Sequence, residues 1–337
     1  MVQMQSFMLA SYGIAFHPGP ANSRLVSAFL VTFSSKCNLI IISTIPSLIT
    51  MATQYKTITV TPLGRFVGAE VSGVEIAEGL SEHQFLEVRQ AFVTHGVIFM
   101  RNQNITPDQH ISFSERWGEI SVNRFFQAVE SHPVIAEVRK EAHQTSNIGS
   151  SWHTDHSYDQ IPAMGSILYA RTVPKLGGDT LFSSMYAAYE HLSDGMKNTL
   201  HRMRADHSSR HAFGEAAHVG LGDVEGRLSN AAEATQDAVH PVIIKHPLSG
   251  KPALYVNGEF TVKFEGWSKE ESQPLLDYLY SHAYKNEFTC RFKWTQGSVA
   301  IWDNRATQHC ALNDYDGEQR LMHRITICGQ CLEPSSS

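Results

Sequence analysis

Val299-Ala300-Ile301-Trp302 leads directly into Asp303-Asn304-Arg305-Ala306-Thr307-Gln308-His309. The first four residues read as a strong strand bounded by a polar turn, with a histidine just beyond it. Far upstream stands Trp152-His153-Thr154-Asp155. His153 and Asp155 are two residues apart, so on a strand or extended turn both side chains point to one face. If His309 is carried to the same place, two imidazoles and one carboxylate would flank an ion on one side and leave its other side open. That ligand set is the one used by non-haem Fe(II) oxygenases.

Working outward, the chain from residue 57 mixes short strands with a few helices and shows no internal repeat. Thr57-Ile58-Thr59-Val60 alternates as a strand. Ser81 is a helix N-cap ahead of Phe85, Val88, Ala91 and Phe92, which predicts an amphipathic helix to His95. Val97–Met100 reads as a short buried strand. Thr106-Pro107 opens a second helix, stopped at Gly118. Further strands are expected at 167–170, 180–182, 239–244, 253–256, 288–294, 299–302 and 323–328, with helices at 186–192 and 269–284. Many short strands between Gly, Pro and Asn turns predict a mainly β, α+β fold: a β-sandwich or jelly roll with helical flanks. Residues 211–238 hold few apolar runs and read as a surface excursion, a candidate lid.

Residues 1–50 differ from the rest. The apolar run from Leu25 to Ile49 is interrupted by Ser27, Thr32, Ser34, Ser35, Lys36 and Asn38. A membrane helix needs about 20 mostly apolar residues, and no charged-then-apolar signal layout is present. A targeting segment, a membrane-associating tail and an extension outside the working protein all fit. The last is preferred because Met51-Ala52-Thr53 resembles a natural start. The expected functional domain is then 51–331, with a tail at 332–337.

Composition narrows the partners. A net charge of −6 gives no basic field, which argues against nucleic acid. The five cysteines form no disulfide-like framework, so a reducing, cytoplasmic location is expected. Cys328-Gly329-Gln330-Cys331 has no second pair and reads as two unpaired thiols rather than a redox or zinc motif. The sequence leaves the oligomeric state open, and a homo-oligomer is allowed.

His-x-Asp alone is weak, since a satisfied core histidine explains it. Its company carries more. Gly177-Gly178-Asp179-Thr180 supplies a hydroxyl beside a flexible turn, and Arg320 and Arg324 precede Cys328 by eight and four residues. The even spacing puts both arginines on one strand face. Arginine on or beside an apolar strand is costly unless it meets an anion. Structural ion pairs with Asp303 and Asp314 would account for them equally.

Taken together, Trp-His-Thr-Asp, Gly-Gly-Asp-Thr, Trp-Asp-Asn-Arg-x-Thr-x-His and the paired arginines resemble the taurine dioxygenase family of Fe(II)/2-oxoglutarate-dependent oxygenases over about residues 57–331. The resemblance implies a double-stranded β-helix (jelly roll). It also implies that His153, Asp155 and His309 bind Fe(II), that Thr180 and Arg320 hold the distal carboxylate of 2-oxoglutarate, and that Arg324 faces the substrate's anionic group. O₂ and 2-oxoglutarate would be consumed, giving succinate, CO₂ and a hydroxylated substrate. The protein's own task would be to position the groups and exclude water.

One departure bears on the substrate. Taurine-specific members place a histidine and a tyrosine where this chain aligns Asn123 and Phe126, and an asparagine where it has Gly149. A larger or less polar anion than taurine is expected. The stretches 278–280 and 288–291 and the His240-Pro241 strand also resemble aryloxyalkanoate-cleaving members. The expected function is hydroxylation of a small organic anion (sulfonate, sulfate ester or aryloxy or alkyl carboxylate) next to its heteroatom, followed by cleavage. The alternative is a non-catalytic jelly-roll protein that binds a small anion. No stable membrane insertion is expected.

Overall fold

The computed structural model describes residues 55–217, 223 and 226–336, and Tyr55 onward forms one compact unit. The expected extension at 1–50 lies outside the described residues, as does part of the 211–238 excursion. Among the described residues no helix is long and apolar enough to cross a membrane.

The architecture is a jelly roll. Its larger sheet has nine strands, eight of them in the spatial order Thr59–Pro62, Ala69–Ser72, Val97–Met100, Val299–Asp303, Gly165–Thr172, Arg320–Ile327, His132–Lys140, Ala128–Val129. The ninth, Ile120–Ser121, pairs off Arg320–Ile327. Pairing is antiparallel except between Ala69–Ser72 and Val97–Met100. A smaller sheet runs Thr289–Phe292, Thr180–Ser184, Thr307–Ala311.

Val97–Met100 and Val299–Asp303 are buried throughout because alternate side chains go to opposite faces and both faces are covered here. Val97, Phe99, Ala300 and Trp302 join Phe182 and Phe292 of the smaller sheet, and Phe99 stacks on Phe292 at 3.8 Å. Ile98, Met100, Val299 and Ile301 point the other way, onto the helices Glu82–His95 and Pro107–Glu115. There Trp117 meets Phe85 and Phe92 edge-on at 5.3 and 5.0 Å. Each such side chain contributes roughly 1.5–3 kcal/mol when fully buried.

The helix starts follow their caps. Ser81 Oγ accepts from Gln84 N, and Thr106 and Gln109 form a reciprocal capping box. The second helix ends at Glu115 rather than Gly118, because Trp117 N bonds to Ser114 O in a tighter turn. The run expected at 239–244 divides into Asp237–Pro241 and Ile243–Lys245. His132–Lys140 has no counterpart in the sequence reading; Glu137, Arg139 and Lys140 break up its apolar residues, and its burial follows no clean alternation. Glu333–Pro334 adds an edge to Ile243–Lys245.

Candidate metal centre

Thr307–Ala311 is a full strand of the smaller sheet, so His309 sits within a strand, not merely beyond one. Its free edge takes a single rung from the upstream motif. His153 N donates to His309 O at 3.0 Å, and His309 N donates to His153 O at 2.8 Å. The two rings therefore lie side by side, centroids 4.1 Å apart. After Asp155 the chain leaves the extended path through His156, whose φ is +61°. Asp155 is held from below by Ser166 Oγ at 3.2 Å.

The result is a cluster of His153, Asp155 and His309, all buried, with one donor atom of each within 4.8 Å of the others. His153 Nδ1 is occupied by Ser151 O at 2.8 Å, and its Nε2 lies 3.6 Å from Asp155 Oδ1. Burial, followed by the neighbouring His153, lowers His309 to about 3, so it is neutral and keeps a lone pair for a metal. Burial pushes the Asp155 carboxyl up, but Arg324, His309, His153 and His156 together outweigh it and hold the group well below its ordinary range. Two neutral-capable imidazoles and an ionised carboxylate suit a divalent transition metal.

Asp303 belongs to the scaffold. Its carboxylate takes Arg305 Nε and Nη2 at 2.8 Å each and bonds to His246 Nε2 at 2.9 Å, all buried. Thr154 Oγ1 donates to Asn304 O, which ties the two motifs together, and within the second Trp302 Nε1 donates to Asn304 Oδ1 at 2.9 Å. Asp303 is thus not an ion-pair partner of Arg320 or Arg324. Asp314 is not one either: it accepts from Gly178 N at 2.7 Å and faces Arg291.

Arg320 and Arg324 both line the cavity beside the cluster, as does Thr180. Arg320 is 4% exposed, and among the described residues no carboxylate pairs with it; its Nε has no hydrogen-bond partner. Burial lowers its pKa, with Tyr315 and Asp179 opposing. A buried guanidinium left in this state calls for an anion. Thr180 Oγ1 accepts from Trp294 Nε1 at 2.9 Å, which fixes the hydroxyl near the same wall. Arg324 Nη1 lies 3.4 Å from Asp155 Oδ1, and its Cζ is 4.6 Å from the Phe126 ring centre.

Asn123 and Phe126 also line the cavity. Asn123 Oδ1 caps its own turn, accepting from Phe125 N and Phe126 N at 2.9 Å each. Gly149 has φ +81°, and a Cβ there would stand 3.2 Å from His153 Cε1. Glycine is therefore set by backbone and ring as well as by pocket size. The described parts of the 211–238 excursion reach the site: Ala212, Phe213 and Leu228 line it. Sequence reading missed Tyr158, Phe213, Phe260 and Trp294 as lining residues, since no local pattern marks them.

The family model described as taurine catabolism dioxygenase TauD, TfdA family matches residues 59–326. A Pseudomonas putida protein named α-ketoglutarate-dependent sulfate ester dioxygenase is 31% identical over 271 residues, covering 80% of this chain and 89% of the relative. An Acinetobacter baylyi alkylsulfatase is 33% identical over 267 residues, covering 78% and 83%. Among solved structures, a taurine dioxygenase from Burkholderia xenovorans superposes with a TM-score of 0.70 at 32% identity, covering 83% of this chain and 92% of the other.

Proposed function

The chain belongs to the taurine catabolism dioxygenase TauD, TfdA family, and on that premise we propose that His153, Asp155 and His309 hold Fe(II) while Thr180 and Arg320 hold the distal carboxylate of 2-oxoglutarate. The protein is a 2-oxoglutarate-dependent dioxygenase acting on a small organic anion, not a non-catalytic binder. When bound, iron and 2-oxoglutarate supply O₂ activation and oxidative decarboxylation, so that substrate C–H, O₂ and 2-oxoglutarate become substrate C–OH, succinate and CO₂.

The remaining roles fall to side chains. His153 Nδ1, tied to Ser151 O, leaves Nε2 for the metal. Asp155 contributes a carboxylate kept ionised chiefly by the Arg324 guanidinium. Arg320 presents an unpaired guanidinium to the cosubstrate from within the wall. Arg324 faces the substrate's charge, and Phe126, Phe213 and Phe260 exclude water around its body. Hydroxylation next to the heteroatom would make a sulfate ester or sulfonate collapse to an aldehyde with release of sulfate or sulfite. An aryloxy acid would give a phenol and a keto acid. The apolar lining supports an alkyl or aryl body larger than that of taurine. The free thiols of Cys290, Cys310, Cys328 and Cys331 suit the reducing cytoplasm as its location.

The observation that carries this reading is the convergence of three buried donors with an unpaired buried arginine on one cavity. The test is succinate release with Fe(II), O₂, 2-oxoglutarate and a panel of alkyl sulfates, alkylsulfonates and aryloxyalkanoates. Absence of turnover with every member, despite bound iron, would remove the substrate assignment.

A further inference from the structure

Tyr158 forms part of the cavity wall and is 2% exposed. Its ring is set by edge contacts with Phe260 at 4.9 Å and Phe213 at 5.9 Å. Yet its hydroxyl makes no hydrogen bond to any described residue. The adjacent carboxylate cannot serve it: Asp159 is already taken by Arg124 Nη2 at 2.6 and 2.7 Å and by His156 Nδ1 at 3.0 Å. No described protein group takes the hydroxyl, so in the cavity wall it stays open to an acceptor on a ligand.

Arg324 has donors to spare in the same cavity. Its one ionic contact is the 3.4 Å approach to Asp155, and its Nε is buried without a partner. A guanidinium carries five N–H donors, and a phenol remains a donor at neutral pH.

We propose that the Tyr158 hydroxyl is a specificity-determining donor that binds one oxygen of the substrate's oxyanion while Arg324 binds another. This rests on the proposed function for the placement of the substrate and deepens it. The substrate is then an organic anion with at least two acceptor oxygens on its head and an apolar body against Phe126, Phe213 and Phe260. A neutral alcohol of the same length leaves both donors without a charged partner.

The test uses the full chain and the substitution Tyr158→Phe, which keeps the ring packing. Hexyl sulfate, hexanesulfonate and 2-phenoxypropionate are titrated calorimetrically, with and without anaerobic Fe(II) and 2-oxoglutarate, and 1-hexanol serves as the uncharged control. Loss of a hydrogen bond to a charged group should weaken anion binding about ten- to hundredfold and leave the weak binding of hexanol unchanged. In turnover the loss should fall on KM rather than kcat. An unchanged Kd for the bound anions overturns the inference, as does failure of the unsubstituted protein to bind any of the three. Anion binding that weakens as expected but never leads to succinate supports Tyr158 and removes the oxygenase reading instead. Turnover with unchanged KM in the variant removes Tyr158 and leaves the oxygenase standing.

Discussion

His153 and His309 face each other as a hydrogen-bonded pair, each donating its backbone N–H to the other's carbonyl at 3.0 and 2.8 Å. Residues paired this way in an antiparallel ladder project side chains to the same face, so two rings from motifs 156 residues apart are fixed by main-chain bonds before any metal arrives. The geometry thus makes one rung of sheet responsible for the candidate centre. Asp155 follows from the spacing within its own motif.

If that rung presents metal ligands, removing either ring must empty the site. Outer partners of metal ligands alone are worth about 10–100-fold in affinity, so His309→Ala should exceed roughly hundredfold loss of Fe(II). Iron stoichiometry after gel filtration is the measurement. Full retention of iron by His309→Ala or His153→Ala would overturn the assignment. Anaerobic Fe(II) with 2-oxoglutarate should also give a weak visible charge-transfer band in the unsubstituted protein and none in either variant.

Arg320 is a buried cation without a carboxylate partner among the described residues, a cost the free protein bears. Arg320→Met should raise the KM for 2-oxoglutarate about hundredfold, since a bidentate charged contact is lost. The same substitution should leave the melting temperature of the cosubstrate-free protein unchanged or raise it. A large loss of stability with unchanged KM would assign Arg320 a structural role.

Gly149 has φ +81°, and its missing Cβ would press on the His153 ring. Gly149→Ala should cost about 1–2 kcal/mol in stability and weaken iron retention about tenfold by displacing the ring, on the scale of other supporting contacts. Crystals of the variant with an undisturbed His153, together with normal iron content, would contradict this.

Part of the acid lability should come from His110, away from the candidate centre; His207, His309 and His323 are also held neutral by burial and add to it. Burial, with His323 and Arg171 adding to it and the Ile167 backbone opposing, lowers His110 from 6.5 to about 3. The unfolded chain binds a proton there below about 6.5 while the folded one does not, so stability falls as pH drops through the window from 6.5 to 3. At pH 5 the penalty is about 2 kcal/mol. Chemical denaturation from pH 7 to 5 should show at least this slope, and His110→Leu should make it shallower by the share that His110 contributes. An equal slope in the variant would exclude His110 as a source.

Asp303 holds Arg305 and His246 together under the site. Removing one charge from a buried pair leaves the other uncompensated, at about 3–5 kcal/mol. Asp303→Asn should therefore lower the melting temperature by roughly 6–20 °C, an effect measurable by calorimetry and present without iron. A melting temperature within two degrees of the parent would show that the pair is dispensable.

The helix caps at Ser81 and Thr106, the all-apolar strands 97–100 and 299–302, and the i, i+2 geometry of His153 and Asp155 were legible from sequence, because each depends on neighbours within a few residues. So was the set of motifs carrying the family resemblance. The strand His132–Lys140 was not, because its charged residues are accommodated by partners elsewhere: Lys140 Nζ reaches Asn313 Oδ1 at 2.7 Å. Nor could spacing decide whether Arg320 and Arg324 would find Asp303 and Asp314; the fold gives those carboxylates other partners. The wall formed by Tyr158, Phe213 and Phe260 likewise exists only once 158, 213 and 260 are packed together. Periodicity fixes which way a side chain points along its own element. Sheet register and packing, set by the whole chain, fix what it meets.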